Sequence, residues 1–250
     1  MKYHFIINPV AGKQDSSKTL VPEIKRAAAA YGIAETDLTI QLTNRPAHAH
    51  FLALEAVKSA AEQDEEIHIY AAGGDGTFNE TIAGILMAGV DVPVGYIPAG
   101  STNDFAFSLK LSGNILQAAQ DIVEGQPVSY DVGKFGDRYF SYVASFGVFT
   151  RASYATPQSA KNALGHLAYV LESIQELSQL KKTHARFTLA DGTVIEDDFL
   201  FGAISNSTSM GGLLTLDSDQ VDLQDGKFEI LLVKAPKTLQ DIPECLLAVQ

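Results

Sequence analysis

The sequence predicts an α/β fold, with a parallel-sheet N-terminal domain over residues 1–125 and a mostly antiparallel β domain over 126–250. Two observations carry this. In the first half, short apolar runs alternate with helix-length segments, and strands separated by helices imply βαβ crossovers and a parallel sheet covered on both faces. Past Gly125-Gln126-Pro127, strand-like runs follow one another with a single long helical interruption.

Tyr3–Ile7 is an apolar run closed by Asn8-Pro9 and reads as a buried strand. Ser16 and Ser17 are N-cap candidates for a helix to Tyr31, with Gly32 as its stop. Asp37–Leu42 is a second strand, and Pro46 suits the first turn of a helix reaching Ala61. Ile67–Ala72 is a third strand, Thr77–Met87 a helix, Val92–Ile97 a fourth strand and Asn114–Val123 a helix. In the second half the expected strands are Val128–Phe135, Tyr139–Phe149, His184–Leu189, Thr193–Ile204 and Lys227–Val233. Asp191-Gly192 marks a hairpin, and a helix over Ala160–Leu180 interrupts the series.

Composition narrows the function. With 250 residues, 46% hydrophobic and 19% charged, the chain can bury a substantial core. A net charge of −12 argues against non-specific nucleic-acid binding, which needs surplus Lys and Arg, and against long-range attraction to anionic membranes. Any membrane contact is therefore expected to be local and peripheral. The single cysteine, Cys245, excludes an internal disulfide and fits a reducing, cytoplasmic setting. No apolar run approaches the ~20 residues that span a bilayer.

The chemistry gathers at three glycine-bearing turns, each at the end of a different strand: Asn8-Pro9-Val10-Ala11-Gly12-Lys13, Gly73-Gly74-Asp75-Gly76-Thr77, and Pro98-Ala99-Gly100-Ser101-Thr102-Asn103-Asp104. Ligands of open parallel sheets bind beyond the strands' carboxyl ends. Glycine lets the backbone approach a ligand, and a helix N-terminus favours anions. Three such turns on one edge make a phosphate-binding rim, to which Lys13 and Lys18 can add positive charge. A Walker A loop is excluded because Ile7 stands where its first glycine belongs and Gln14 follows Lys13. The dinucleotide fingerprint fails at Asn79. Asp75 between two glycines points to phosphoryl transfer, because a carboxylate beside phosphates is repulsive unless Mg²⁺ mediates.

Asn8-Pro9-x-x-Gly12, Gly73-Gly74-Asp75-Gly76-Thr77-x-Asn79-Glu80 and Gly100-Ser101-x-Asn103-Asp104-Phe105-Ala106 resemble, in order and spacing, the motifs of the diacylglycerol-kinase-like lipid kinases, relatives of sphingosine and ceramide kinases. The resemblance implies an α/β nucleotide-binding domain, a β-sandwich domain, and ATP in the cleft between them. It implies ATP contacts at Asn8, Pro9, Val10, Ala11, Gly12, Thr43, Gly73, Gly74, Asp75, Gly76, Thr77, Phe78, Asn79 and Ser101, with Asp75 catalytic. Thr43 serves equally as an N-cap for the helix after it. Met210-Gly211-Gly212 followed by Asp225-Gly226 resembles the family's second-domain turn, which implies a Mg²⁺ held by Asp222, Asp225 and the Lys227 carbonyl; a plain hairpin turn is the alternative.

The resemblance thus implies a Mg²⁺-dependent transfer of the ATP γ-phosphoryl group to a lipid hydroxyl. An NAD-kinase-like small-molecule kinase shares the central motif, and a non-catalytic nucleotide-binding relative is the other alternative. Ser101 stands where the family usually has Thr, and Phe107 where it commonly has Arg. The family's base, an Asp or Glu, is expected past Gln250, which leaves the second domain incomplete. The six histidines show no metal-ligand spacing, and Arg151, Lys161 and His166 flank a segment able to approach lipid headgroups. Exposed edge strands allow a homodimer.

Overall fold

The computed structural model of the chain describes residues 1–12, 15–114, 116–118, 121, 125–147, 181–210, 214–215, 219 and 221–241. Lys13, Arg151, Lys161, His166, Gly211, Gly212, Cys245 and the helix expected at 160–180 lie outside the described residues. So do part of the helix expected at 114–123 and the end of the strand expected at 139–149. The chain divides into two compact units, Met1–Ser141 and Tyr142–Gln250.

The first unit runs β1 (Lys2–Ile7), α1 (Ser17–Ala30), a 3-10 turn (Glu35–Asp37), β2 (Leu38–Leu42), α2 (His48–Glu62), β3 (Ile67–Gly73), α3 (Asp75–Ala88), β4 (Val94–Pro98) and α4 (Asp104–Ser108). A hairpin follows, β5 (Gly133–Phe135) with β6 (Arg138–Phe140). Strands β2, β1, β3 and β4 lie side by side in that order, all parallel. Ile6 packs with Leu52 and Val57 of α2 and Ile85 of α3, while its neighbour Ile7 packs with Leu20 and Ile24 of α1. Successive strand residues point to opposite faces, so a strand covered on both sides reads as an unbroken apolar run.

Four local expectations are corrected. Ser16 holds the N-cap position of α1 but its side chain makes no capping bond; Asp15 Oδ1 accepts the Ser17 N–H instead. Pro46 stands two residues before α2, and Ala47 takes the N-cap position in a left-handed conformation. Helix α3 begins at Asp75, two residues earlier than expected, because Gly74 is already its extended N-cap. The short α4 was not anticipated; five residues are too few to show a helical period. At the helix expected from Asn114, residues 116–118 and 121 are helical, and Asn114 Oδ1 accepts the N–H groups of Leu116 and Gln117.

In the second unit, the twelve-residue β9 (Val194–Ser205) is the organising strand. β8 (Thr183–Thr188) pairs with its first half, while β7 (Val143–Gly147) and β12 (Glu229–Lys234) flank its second half, all antiparallel. β10 (Ser209–Met210) and β11 (Leu214–Thr215) form a separate short pair. The Asp191-Gly192 turn joins β8 to β9 as the dipeptide predicts, with Asp191 Oδ1 accepting the Thr193 N–H. Among the described residues no helix is long and apolar enough to cross a membrane.

Candidate functional site

The three glycine turns leave the carboxyl ends of β1, β3 and β4, adjacent strands of one parallel sheet, and they touch one another through their backbones. A Cβ added at Gly100 would lie 2.5 Å from the Gly74 Cα, so the second and third turns meet glycine against glycine. A Cβ at Gly12, whose φ is +75°, would lie 2.5 Å from the Ala99 carbonyl oxygen, so the first turn rests on the third. No residue with a side chain fits either contact without moving backbone.

Helix α3 ties this edge together through four polar side chains. Thr77 Oγ1 accepts from Asn8 Nδ2 at 3.0 Å, linking the second turn to the first. The Asp75 carboxylate accepts the Asp104 N–H through Oδ2 (2.9 Å) and the Phe105 N–H through Oδ1 (3.1 Å), linking it to the third. Asn79 reaches β6: its Nδ2 donates to the Tyr139 carbonyl and its Oδ1 accepts the Ser141 N–H and hydroxyl. Glu80 Oε1 accepts the Ala47 N–H at the turn after β2.

Asp75 is the most constrained of these groups. Withdrawal from water pushes its carboxyl above the ordinary carboxylate value. The Phe105 and Asp104 N–H groups pull it back, the nearby Asp104 carboxylate adds to the rise, and the Tyr96 hydroxyl, donating to Oδ1 at 3.2 Å, opposes it. Among the described residues Oδ2 has one donor, the Asp104 N–H, which leaves a lone-pair direction for a water or an ion. Tyr96 stacks on Phe78, which also stacks on Phe105, so an aromatic floor lies under the carboxylate.

The remaining expected contacts are distributed as follows. Asn8 closes the first turn, its Oδ1 accepting the Val10 N–H and its carbonyl the Ala11 N–H; Val10 is 84% exposed at the tip. Thr43 is buried at the end of β2, its N–H donating to the Ile7 carbonyl, which sets it beside the first turn. Phe78 turns its ring into the core and leaves only main chain for a ligand. Ser101 is exposed on the third turn, which Asn103 closes by accepting the Gly100 N–H and donating to the Gly100 carbonyl. Phe107, in place of the family's common Arg, is 63% exposed. Lys18 is exposed on α1.

Asp222, Asp225 and Lys227 share one exposed turn in the second unit. Asp222 Oδ1 accepts the Gln224 N–H; Asp225 accepts the Lys227 N–H through Oδ1 and pairs with the Lys227 ammonium through Oδ2 at 3.2 Å. Nearby, Glu229 Oε2 is buried with no hydrogen-bond partner among the described residues. Hard carboxylate oxygens suit Mg²⁺ in kind. An ion there would have to displace the Lys227 ammonium, and among the described residues no three acidic, His or Cys groups are gathered as a metal centre.

Sequence reasoning missed Tyr96 and the roles of Glu80 and Asn79 as anchors. Tyr96 lies inside an ordinary strand run, where a hydroxyl facing a carboxylate leaves no pattern. Glu80 and Asn79 sit in the motif, but their partners are 33 and 60–62 residues away.

Residues 2–135 match the family model of the diacylglycerol kinase catalytic domain. A diacylglycerol kinase of Staphylococcus carnosus (strain TM300) is 33% identical over 229 residues, 92% of this chain and 71% of that protein. One of Staphylococcus aureus (strain MRSA252) is also 33% identical, over 230 residues that make up 92% of this chain and 69% of that protein. A crystal structure of a diacylglycerol kinase from Bacillus anthracis str. Sterne superposes with a TM-score of 0.67 and 26% identity, covering 99% of this chain and 77% of that one.

Proposed function

The chain belongs to the diacylglycerol kinase catalytic-domain family, and on that premise we propose that it transfers the γ-phosphoryl group of MgATP to the hydroxyl of a diacylglycerol or related lipid. The observation that carries the reading is the backbone contact of three glycine turns on one sheet edge. In this reading Asn8–Gly12, Gly73–Thr77 and Ser101 follow the phosphate tail, with Thr43 at its side. The N-terminus of α3 faces negative charge, and N–H groups fixed by folding stabilise the charge of transfer without reorganising. The lipid oxygen forms a bond to the γ-phosphorus as the bond to the bridging oxygen breaks; ADP leaves, and the hydroxyl proton passes to a base.

Asp75 acts at the remaining lone pair of Oδ2, where it orients water or the metal carried by the substrate nucleotide. Its N–H donors oppose the upward push that withdrawal from water gives its carboxyl. A Mg²⁺ at the Asp222–Lys227 turn belongs to the same reading as a structural ion. It would raise the melting temperature of the wild-type chain and leave Asp225→Ala unchanged.

The deciding experiment follows γ-labelled phosphate from ATP into diacylglycerol in mixed micelles, into a sphingoid lipid and into NAD. Label in a lipid supports the proposal. Label in NAD instead replaces it with a small-molecule kinase, and tight ATP binding with no transfer to any acceptor makes the chain a nucleotide-binding relative.

A further inference from the structure

We propose that Glu80 is a positioning residue for the nucleotide: it pins the turn after β2 to α3 and so holds Thr43 at the phosphate edge. This rests on the nucleotide reading above.

The turn between β2 and α2, Thr43-Asn44-Arg45-Pro46-Ala47, contains no glycine, yet Ala47 adopts a left-handed conformation with φ 60° and ψ 11°. A residue with a Cβ pays for that conformation in local strain, so something outside the turn has to hold it. Ala47 is also the N-cap of α2 and makes no side-chain cap bond. Its N–H donates to Glu80 Oε1 at 2.9 Å. The carboxylate thereby holds the strained residue and places negative charge at the start of α2, where the helix dipole favours it.

Glu80 belongs to the helix that opens on Asp75 and Thr77. The carboxylate therefore joins a fourth strand-end turn to the helix that opens on the second glycine turn. Within the turn, Asn44 N–H donates to His48 Nδ1 and His48 N–H to the Arg45 carbonyl, both at 3.2 Å or longer. The Glu80 contact reaches the turn's far end from outside it. Thr43 is held at the near end by the Ile7 carbonyl, so it sits between two anchors, one on β1 and one on α3.

The test is direct titration of the full chain with ATP, together with melting temperatures. Glu80→Ala is expected to weaken ATP binding about fivefold, the size of a typical net hydrogen-bond contribution felt through the turn. Glu80→Asp, which keeps the charge but shortens the reach, should lose as much; Glu80→Gln, which keeps the acceptor oxygen, should recover most of the affinity. In a double-mutant cycle, adding Glu80→Ala to Thr43→Ala should cost little further, because the carboxylate acts through Thr43. Wild-type affinity in Glu80→Ala, equal losses in Gln and Ala variants, or independent effects of the two sites would each overturn the positioning role alone. A wild-type chain that binds no ATP would overturn the nucleotide reading, and this inference with it.

Discussion

Gly100 and Gly74 show how a single missing side chain decides the site. Gly100 is expected to tolerate no Cβ, because the obstacle is the Gly74 Cα at 2.5 Å and the Asn103 Oδ1 at 2.7 Å. A flexible side chain can swing away; backbone cannot. Gly100→Ala should therefore separate the second and third turns, lower stability by about 1–3 kcal/mol and weaken ATP binding at least ~10-fold. Gly113→Ala is the control, since nothing lies within 4 Å of its Cβ position. Calorimetric melting and ATP titration of both variants check this. At Asp75, the motif reveals a carboxylate among glycines, but only the fold shows that its oxygens reach the N–H groups of Asp104 and Phe105, 29 and 30 residues on.

At the scale of elements, α2 and α3 pack so closely that a Cβ at Gly84 would overlap the His50 carbonyl oxygen. In an exposed helix, Gly→Ala gains up to about 1 kcal/mol of helix propensity. Here the overlap with backbone costs about 1–3 kcal/mol, so the packing term wins and Gly84→Ala should be destabilising in a denaturant titration. The strand β1 carries a second prediction. His4 is buried and its Nε2 lies 2.8 Å from Gln41 Oε1. Burial pushes its pKa below the ordinary value, with the Gln41 bond opposing. Below about pH 6.5 the unfolded chain then binds more protons than the folded one at this position, so stability falls as the pH drops toward the lowered folded value. His184 in β8 works the other way. Asp198 and Glu196 raise its pKa, so its contribution is present below about pH 6.5 and fades as pH rises through the raised value. It is solvent-exposed, where such pairs contribute little. Urea titrations at pH 7.5 and 5.5 should show acid destabilisation in the wild type that shrinks in His4→Gln.

For the whole molecule, ligand linkage supplies the test. A ligand that binds only the folded chain at one hundred times its Kd adds about 2.7 kcal/mol of stability. ATP should raise the melting temperature of the wild type, and Gly100→Ala should show a smaller shift even where it remains folded. A wild-type melting curve indifferent to saturating ATP would count against the nucleotide reading. With a net charge of −12, association with anionic lipid vesicles should not weaken as salt rises, since salt screens a repulsion rather than an attraction.

The α/β class, the order of the first seven strands and helices to within a few residues, and the three glycine turns are all legible in the amino-acid sequence. These are local properties: apolar period, chain length between turns, and the backbone freedom of Gly12, Gly74 and Gly100. The tertiary structure alone decided which groups meet. It set Asp75 against α4, turned the Phe78 ring inward, and engaged Asn79 with β6 and Glu80 with Ala47. Each of these is a contact between segments far apart along the chain. Its partner is selected by the parallel stacking of β2, β1, β3 and β4, and no window of neighbouring residues contains that information.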